Sequence, residues 1–213
     1  MLTNVFLVLT ALAAVADWIA VARGMHRAEL VLKPLTLALL VVAAAGADLG
    51  SIKPFVVAAL VLGLIGDIAL MFSTEGSADS AFIAGLSAFL LGHLAYIVAF
   101  LKYGQHTAQL LGGLLIAIGV MALLLPRILA GVRRVGGAQM LGPVVGYITA
   151  LTAMGVLAIG TGSTATAIGG ALFVASDATL AWQRFVAPLP RGPVIVIVTY
   201  HLAQILILIG LIQ

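Results

Sequence analysis

From end to end the chain is a succession of apolar stretches of about twenty residues, joined by connectors too short to hold a domain. A helix of roughly that length crosses the ~30 Å hydrocarbon core of a bilayer, and only helices or closed barrels satisfy their own backbone there. The pattern predicts about eight transmembrane helices, over Thr3–Ala22, Leu30–Ala47, Pro54–Phe72, Ser80–Leu101, Ala108–Leu125, Met140–Gly160, Thr164–Val186 and Pro193–Ile212. The expected fold is an all-α polytopic membrane protein, a single transmembrane domain over residues 1–213. With 63% hydrophobic and 8% charged residues, nothing is left over from which to build a soluble domain.

The connectors carry the expected breakers: SIKP before the third helix, STEGSADS before the fourth, PRILAGVRRVGG before the sixth, TGST before the seventh and APLPRGP before the eighth. Arg23, Arg27, Arg127, Arg133, Arg134, Arg184 and Arg191 fall in or beside odd-numbered connectors, with Lys33 at their edge, against Lys53 and Lys102 in the even ones. The positive-inside rule makes the odd connectors cytoplasmic and puts both termini outside. No side-chain cation precedes Arg23, so the first stretch reads as a retained helix rather than a cleaved signal peptide. The net charge of +3 suits a protein resting on anionic lipid and gives no reason to expect nucleic acid as a partner.

Three fragments recur at nearly the same offset: GDIAL at Gly66 with SDATL at Ser176, HLAY at His93 with HLAQ at His201, and LKPL at Leu32 with LGPV at Leu141. A tandem duplication of a four-helix unit follows, with halves about 1–105 and 106–213. Four crossings return the chain to its starting side, so the 4+4 halves are expected to be parallel repeats.

A carboxylate at membrane depth costs at least ~2.5–3.5 kcal/mol, which makes an intramembrane Asp a functional candidate by default. Asp17, Asp67 and Asp177 qualify, all toward the cytoplasmic side in this topology. Lys33 opens the second helix there, with Pro34 in its first turn, and Tyr147 enters the sixth helix from the same side. His93, Tyr96 and Phe100 share one face of the fourth helix. Tyr200 and Gln204 are i, i+4 partners on the eighth, with His201 alongside. The plain alternative is structural: Lys and Asp as an ion pair, and His, Tyr and Gln as interhelical packing glue. Repeat-equivalent positions favour function for Asp67 and Asp177.

Other polar and small residues read as structure. Arg184 snorkels to the headgroups, Arg127, Arg133 and Arg134 set topology, and Glu75 and Asp79 lie in a solvated loop. GPVVG at Gly142 reads as a packing motif, and Trp18 and Trp182 as interfacial belt residues.

Two carboxyl groups sharing a low-dielectric site resist ionising together, so one can serve as acid and the other as base. That suits acid-catalysed hydrolysis, and it suits proton-coupled transport equally well. Without cysteine there is no disulfide or thiolate metal site, and His93 and His201 lack any HExxH-like spacing. Neither a metal nor another cofactor is expected.

KPLTLAL, LIGDIALMF, FLLGHLAYIVAF, SDATLAWQRF and YHLAQILIL, in that order and on the expected helices, resemble the YhhN-like lysoplasmalogenase family. The resemblance covers nearly the whole chain, and GDxxLM followed by GHxxY is its most specific part. It implies an eight-helix membrane hydrolase that cleaves the vinyl ether bond of lysoplasmalogens to a fatty aldehyde and a glycerophospho-alcohol. The family motifs fall on Lys33, Asp67, His93, Tyr96, Asp177 and Gln204. The paired tyrosines usual before the final Ala-Gln are replaced by Tyr200-His201, which puts position 201 and substrate choice in question.

The catalytic pair expected from this is Asp67 and Asp177, order unassigned, with Lys33 attracting the substrate phosphate. His93 and Tyr96 orient the water or the ether oxygen, and Tyr147, Tyr200, His201, Gln204 and Asp17 complete the cluster. The partners are then a lysophospholipid substrate and membrane lipid, in a setting that reads as a bacterial inner membrane. The competing readings are a proton-coupled transporter or lipid-binding protein, and a hydrolase of another ether or an epoxide using the same Asp pair.

Overall fold

Every long apolar stretch is a helix in the computed structural model, which describes residues 2–73 and 80–212. The helices are α1 (Leu2–Ala22), α2 (His26–Gly46), α3 (Lys53–Met71), α4 (Ser80–Tyr103), α5 (Thr107–Gly136), α6 (Leu141–Gly160), α7 (Thr164–Phe185) and α8 (Gly192–Leu211). Short 3₁₀ turns at Gly50–Ile52 and Ala138–Met140 lead into α3 and α6. All eight are long and apolar enough to cross a membrane, and no strand occurs among the described residues. The chain is an all-α integral membrane protein. Glu75 and Asp79, read as a solvated loop, lie outside the described residues.

Consecutive helices pack as hairpins, α1 with α2, α3 with α4, α5 with α6 and α7 with α8, and α2–α3 and α6–α7 contacts link them in order. α8 also meets α1 and α2, and α4 meets α6, which closes the bundle. The main core is formed by side chains such as Leu37, Leu60, Phe100, Met154, Phe173 and Ile207. A second, smaller cluster of Phe82, Ile128, Val132, Met140, Val144 and Phe185 sits where the odd-numbered connectors gather. Outward faces remain apolar, as at Leu12, Leu115 and Leu123, the arrangement lipid requires. α5 is the most peripheral helix.

Two boundaries differ from expectation for related reasons. α2 starts at His26, so Lys33 ends its second turn and Pro34 lies inside the helix rather than in its first turn. The turn before it uses Gly24 at φ +65°, a conformation glycine adopts without strain. α5 continues through Pro126 to Gly136, although PRILAGVRRVGG read as a connector. Proline removes one backbone bond but does not by itself end a helix held by its neighbours. Arg127 Nη1 donates to the Leu123 carbonyl at 2.7 Å across this turn, and Arg133 and Arg134 face the negative end of the helix dipole. Thirty residues rise ~45 Å, so α5 outruns the hydrocarbon and its basic end reaches the headgroups.

GPVVG is not a packing motif. A Cβ on Gly142 would meet nothing within 4 Å, and the same holds for Gly146, because this face of α6 is exposed. Close helix approach occurs instead at Gly169, where a Cβ would lie 2.8 Å from the Ala203 carbonyl oxygen and 2.9 Å from the Ile207 amide nitrogen. Backbone cannot swing aside as a side chain can. Gly169→Ala is therefore expected to push α7 from α8 and destabilise by about 1–3 kcal/mol, while Gly142→Ala is neutral. Thermal unfolding in detergent measures both, and equal melting temperatures for the two variants would contradict the close contact.

Candidate active site

Burying an ion in the bundle demands a compensating partner, and α2 supplies one to α3: Lys33 Nζ stands 3.3 Å from Asp67 Oδ1. Asp67 is almost wholly buried, and its Oδ2 receives no hydrogen bond among the described residues. Tyr200 of α8 reaches α3 one turn away, where a Cβ on Gly63 would lie 2.9 Å from its hydroxyl oxygen.

The second carboxyl is held differently. Tyr147 of α6 donates its hydroxyl proton to Asp177 Oδ2, and His93 Nε2 of α4 is 3.8 Å from that oxygen, too far for a hydrogen bond. No lysine or arginine forms an ion pair with Asp177 among the described residues. The His93 ring is fixed edge-on by Tyr147 at 5.1 Å and Phe173 at 5.0 Å, centroid to centroid. Neither ring nitrogen has a hydrogen-bond partner among the described residues.

A polar rung also crosses the bundle from α4 to α8. Tyr96 donates to Gln204 Oε1 at 2.5 Å, and the Gln204 amide donates to the Tyr200 hydroxyl at 3.3 Å. Phe100 stacks on Tyr96 and closes this rung from below. The shared face predicted for His93, Tyr96 and Phe100 is thus the buried face of α4.

An apolar cleft reaches Asp177 from the odd-connector end of the bundle. Leu70, Phe82, Leu86, Leu124, Ile128 and Val144 line it, and Tyr147 and Asp177 bring the polar groups of its wall. Arg184 also lines it, its guanidinium stacked 4.2 Å above the Phe82 ring. Asp177 is 11% exposed where Asp67 is 2%, so the cleft presents one carboxyl and keeps the other behind it. The arrangement can seat an alkyl chain along the cleft and bring a bond near its end to Asp177. Among the described residues no three of His, Asp and Glu converge closely enough to share a metal ion.

Trp18 corrects its reading as a belt residue. Its indole N–H donates to His201 Nδ1 at 3.2 Å, tying α1 to α8 inside the bundle. Asp17, beside it in sequence, is fully buried, and neither of its oxygens receives a hydrogen bond among the described residues. Phe173 and Trp18 were invisible as site residues in sequence, since an aromatic at membrane depth is ordinary there. A polar residue at that depth is not, which is why the other members could be picked out.

The YhhN family model matches residues 28–211, from α2 to the end of α8. The chain belongs to the YhhN family. Among curated relatives, human Lysoplasmalogenase TMEM86B is 33% identical over 150 residues, 70% of this chain and 59% of that protein. The Lysoplasmalogenase of Mycobacterium bovis is 31% identical over 176 residues, 81% of this chain and 66% of that protein. Lysoplasmalogenase TMEM86A of Bos taurus is 29% identical over 161 residues, 72% and 63% respectively. The chain thus spans between 59% and 66% of the length of the curated relatives it matches. No solved structure matches it. In this YhhN family member α1 precedes the matched segment, yet it contributes Asp17 and Trp18 to the polar cluster.

Proposed function

We propose that this protein hydrolyses the vinyl ether bond of lysoplasmalogens, releasing a fatty aldehyde and a glycerophospho-alcohol. The observation that carries the reading is the pairing of two unlike carboxyls with an apolar cleft: Asp177 lines the cleft without a Lys or Arg partner among the described residues, and the more deeply buried Asp67 pairs with Lys33. Relatives named lysoplasmalogenase give the substrate class.

The unlike surroundings support one assignment of the roles. Lys33 balances a negative charge on Asp67, which makes Asp67 the base, and Asp177 is the acid. Asp177 gives its proton to the alkenyl carbon distal to the ether oxygen, leaving an oxocarbenium ion. Water adds to the carbon bearing oxygen while Asp67 takes a proton, and a neutral hemiacetal results. Asp67 then protonates the ether oxygen as the Asp177 carboxylate removes the hemiacetal hydroxyl proton. The C–O bond breaks to aldehyde and alcohol, and both carboxyls return to their starting states. Tyr147 orients Asp177, and the apolar cleft keeps bulk water from the cation.

The internal match of sequence fragments supports a duplicated four-helix unit, in which Asp67 and Asp177 descend from one ancestral position. The basic odd-numbered connectors support a cytoplasmic mouth for the cleft and outward termini, and the mycobacterial relative supports a bacterial inner membrane.

The test is aldehyde release from detergent-purified full chain given lysoplasmenyl-ethanolamine or lysoplasmenyl-choline, run with and without EDTA. Stoichiometric aldehyde that survives EDTA is expected. Folded protein that forms no aldehyde from either lipid would move the site to another ether, an epoxide or proton-coupled transport.

A further inference from the structure

The bond from Trp18 fixes the chemistry of His201. An indole N–H is a donor only, so the His201 Nδ1 that accepts it at 3.2 Å must offer a lone pair. Neutral His201 therefore carries its proton on Nε2. That nitrogen is buried, and among the described residues nothing accepts from it.

Three further buried oxygens have no hydrogen-bond donor among the described residues: both of Asp17, one residue before Trp18 on α1, and Oδ2 of Asp67 on α3. The Lys33 ammonium stands 3.3 Å from Asp67 Oδ1, and α2, which carries it, packs against α1, α3 and α8. One oriented donor and three acceptors thus come from α1, α3 and α8, the helices packed around α2. Buried polar atoms are nearly always hydrogen-bonded, and where protein does not serve them ordered water does, each water making two to four such bonds.

We propose that Asp17, Asp67 and His201 hold a buried water, that this is the water Asp67 activates, and that Trp18 positions it by fixing the His201 tautomer. The proposal rests on the hydrolytic reading above and extends it. His201 Nε2–H donates to the water oxygen, while Asp67 Oδ2 and Asp17 accept its two protons. One lone pair is left to attack the oxocarbenium carbon, and the proton on the Asp67 side is the one transferred. Trp18 touches neither water nor substrate and acts only through His201.

Three readouts on the detergent-solubilised full chain test this. Nitrogen-15 spectra of histidine-labelled protein, with His201 assigned by loss in His201→Gln, are expected to show neutral His201 protonated on Nε2. Trp18→Phe keeps the bulk and removes the donor. It should mix the tautomers and lower kcat for aldehyde release roughly 10- to 100-fold with KM within about two-fold. Radiolytic footprinting, which oxidises side chains beside bound water, should mark His201 despite its burial, and less so in Asp17→Leu. His201 protonated on Nδ1, an unmarked His201, or unchanged kcat in both Trp18→Phe and Asp17→Asn would each overturn the proposal. A marked His201 with the expected tautomer, in wild-type protein that forms no aldehyde, would instead overturn the hydrolytic reading and leave the water site standing.

Discussion

Asp177→Asn is expected to lower kcat for aldehyde release by about 10²- to 10⁴-fold with little change in KM. Asparagine fills the same space, and its carbonyl can still accept the Tyr147 hydroxyl, so the cleft keeps its shape. The lost function is proton donation to carbon, which occurs only in the transition state. An interaction made there and not in the bound ground state reduces kcat and kcat/KM together. Deuterium oxide supplies an independent check. The proposed step places one solvent deuteron on the carbon next to the aldehyde, read by mass spectrometry of the trapped product before exchange.

Asp67→Asn should cost a similar factor through loss of the base, but its effect is compound, because Lys33 is left beside an amide. Unfolding must therefore be measured alongside turnover for that variant. Folded Asp67→Asn and Asp177→Asn proteins that both turn over at the wild-type rate would remove these carboxyls from the mechanism.

How the site could be read in advance follows from the solvent. In hydrocarbon a polar side chain is expensive, so Asp67, Asp177, His93, Tyr96 and Gln204 stood out against an apolar background before any geometry was known. The partners did not stand out. Tyr96 and Gln204 meet across the bundle, and Tyr147 reaches Asp177, through contacts that helix period alone cannot assign. Trp18 was misread because an aromatic near a helix end fits the interfacial belt as well as a buried hydrogen bond.

The eight spans were legible for the same reason, since apolar length is a direct requirement of bilayer thickness. Helix ends were less so. His26 and Arg27 begin α2, and Pro126 to Gly136 extend α5, because helices run past the hydrocarbon into a zone where charge and proline are tolerated. GPVVG failed for a related reason: glycine spacing says that one face is smooth, not that another helix lies against it.

Lys33→Met is expected to destabilise the protein by about 3–5 kcal/mol, since it strands Asp67 as an uncompensated buried charge. For a chain of this size that lowers the melting temperature by on the order of 10 °C. The effect exceeds that of a surface pair because Asp67 is 2% exposed and Lys33 only 16%, so solvent screens neither end well. Lys33→Met combined with Asp67→Leu removes both charges, and replacing a buried ion pair by apolar groups is close to neutral. The double variant should regain most of the lost stability while remaining inactive, which separates the pair's structural part from its catalytic one. Tryptophan fluorescence on heating the detergent-solubilised variants reads the first quantity, and aldehyde release reads the second. If Lys33→Met melts with the wild type, the ion pair contributes nothing in the membrane-embedded bundle. The charge balance that makes Asp67 the base and Asp177 the acid would then need another source.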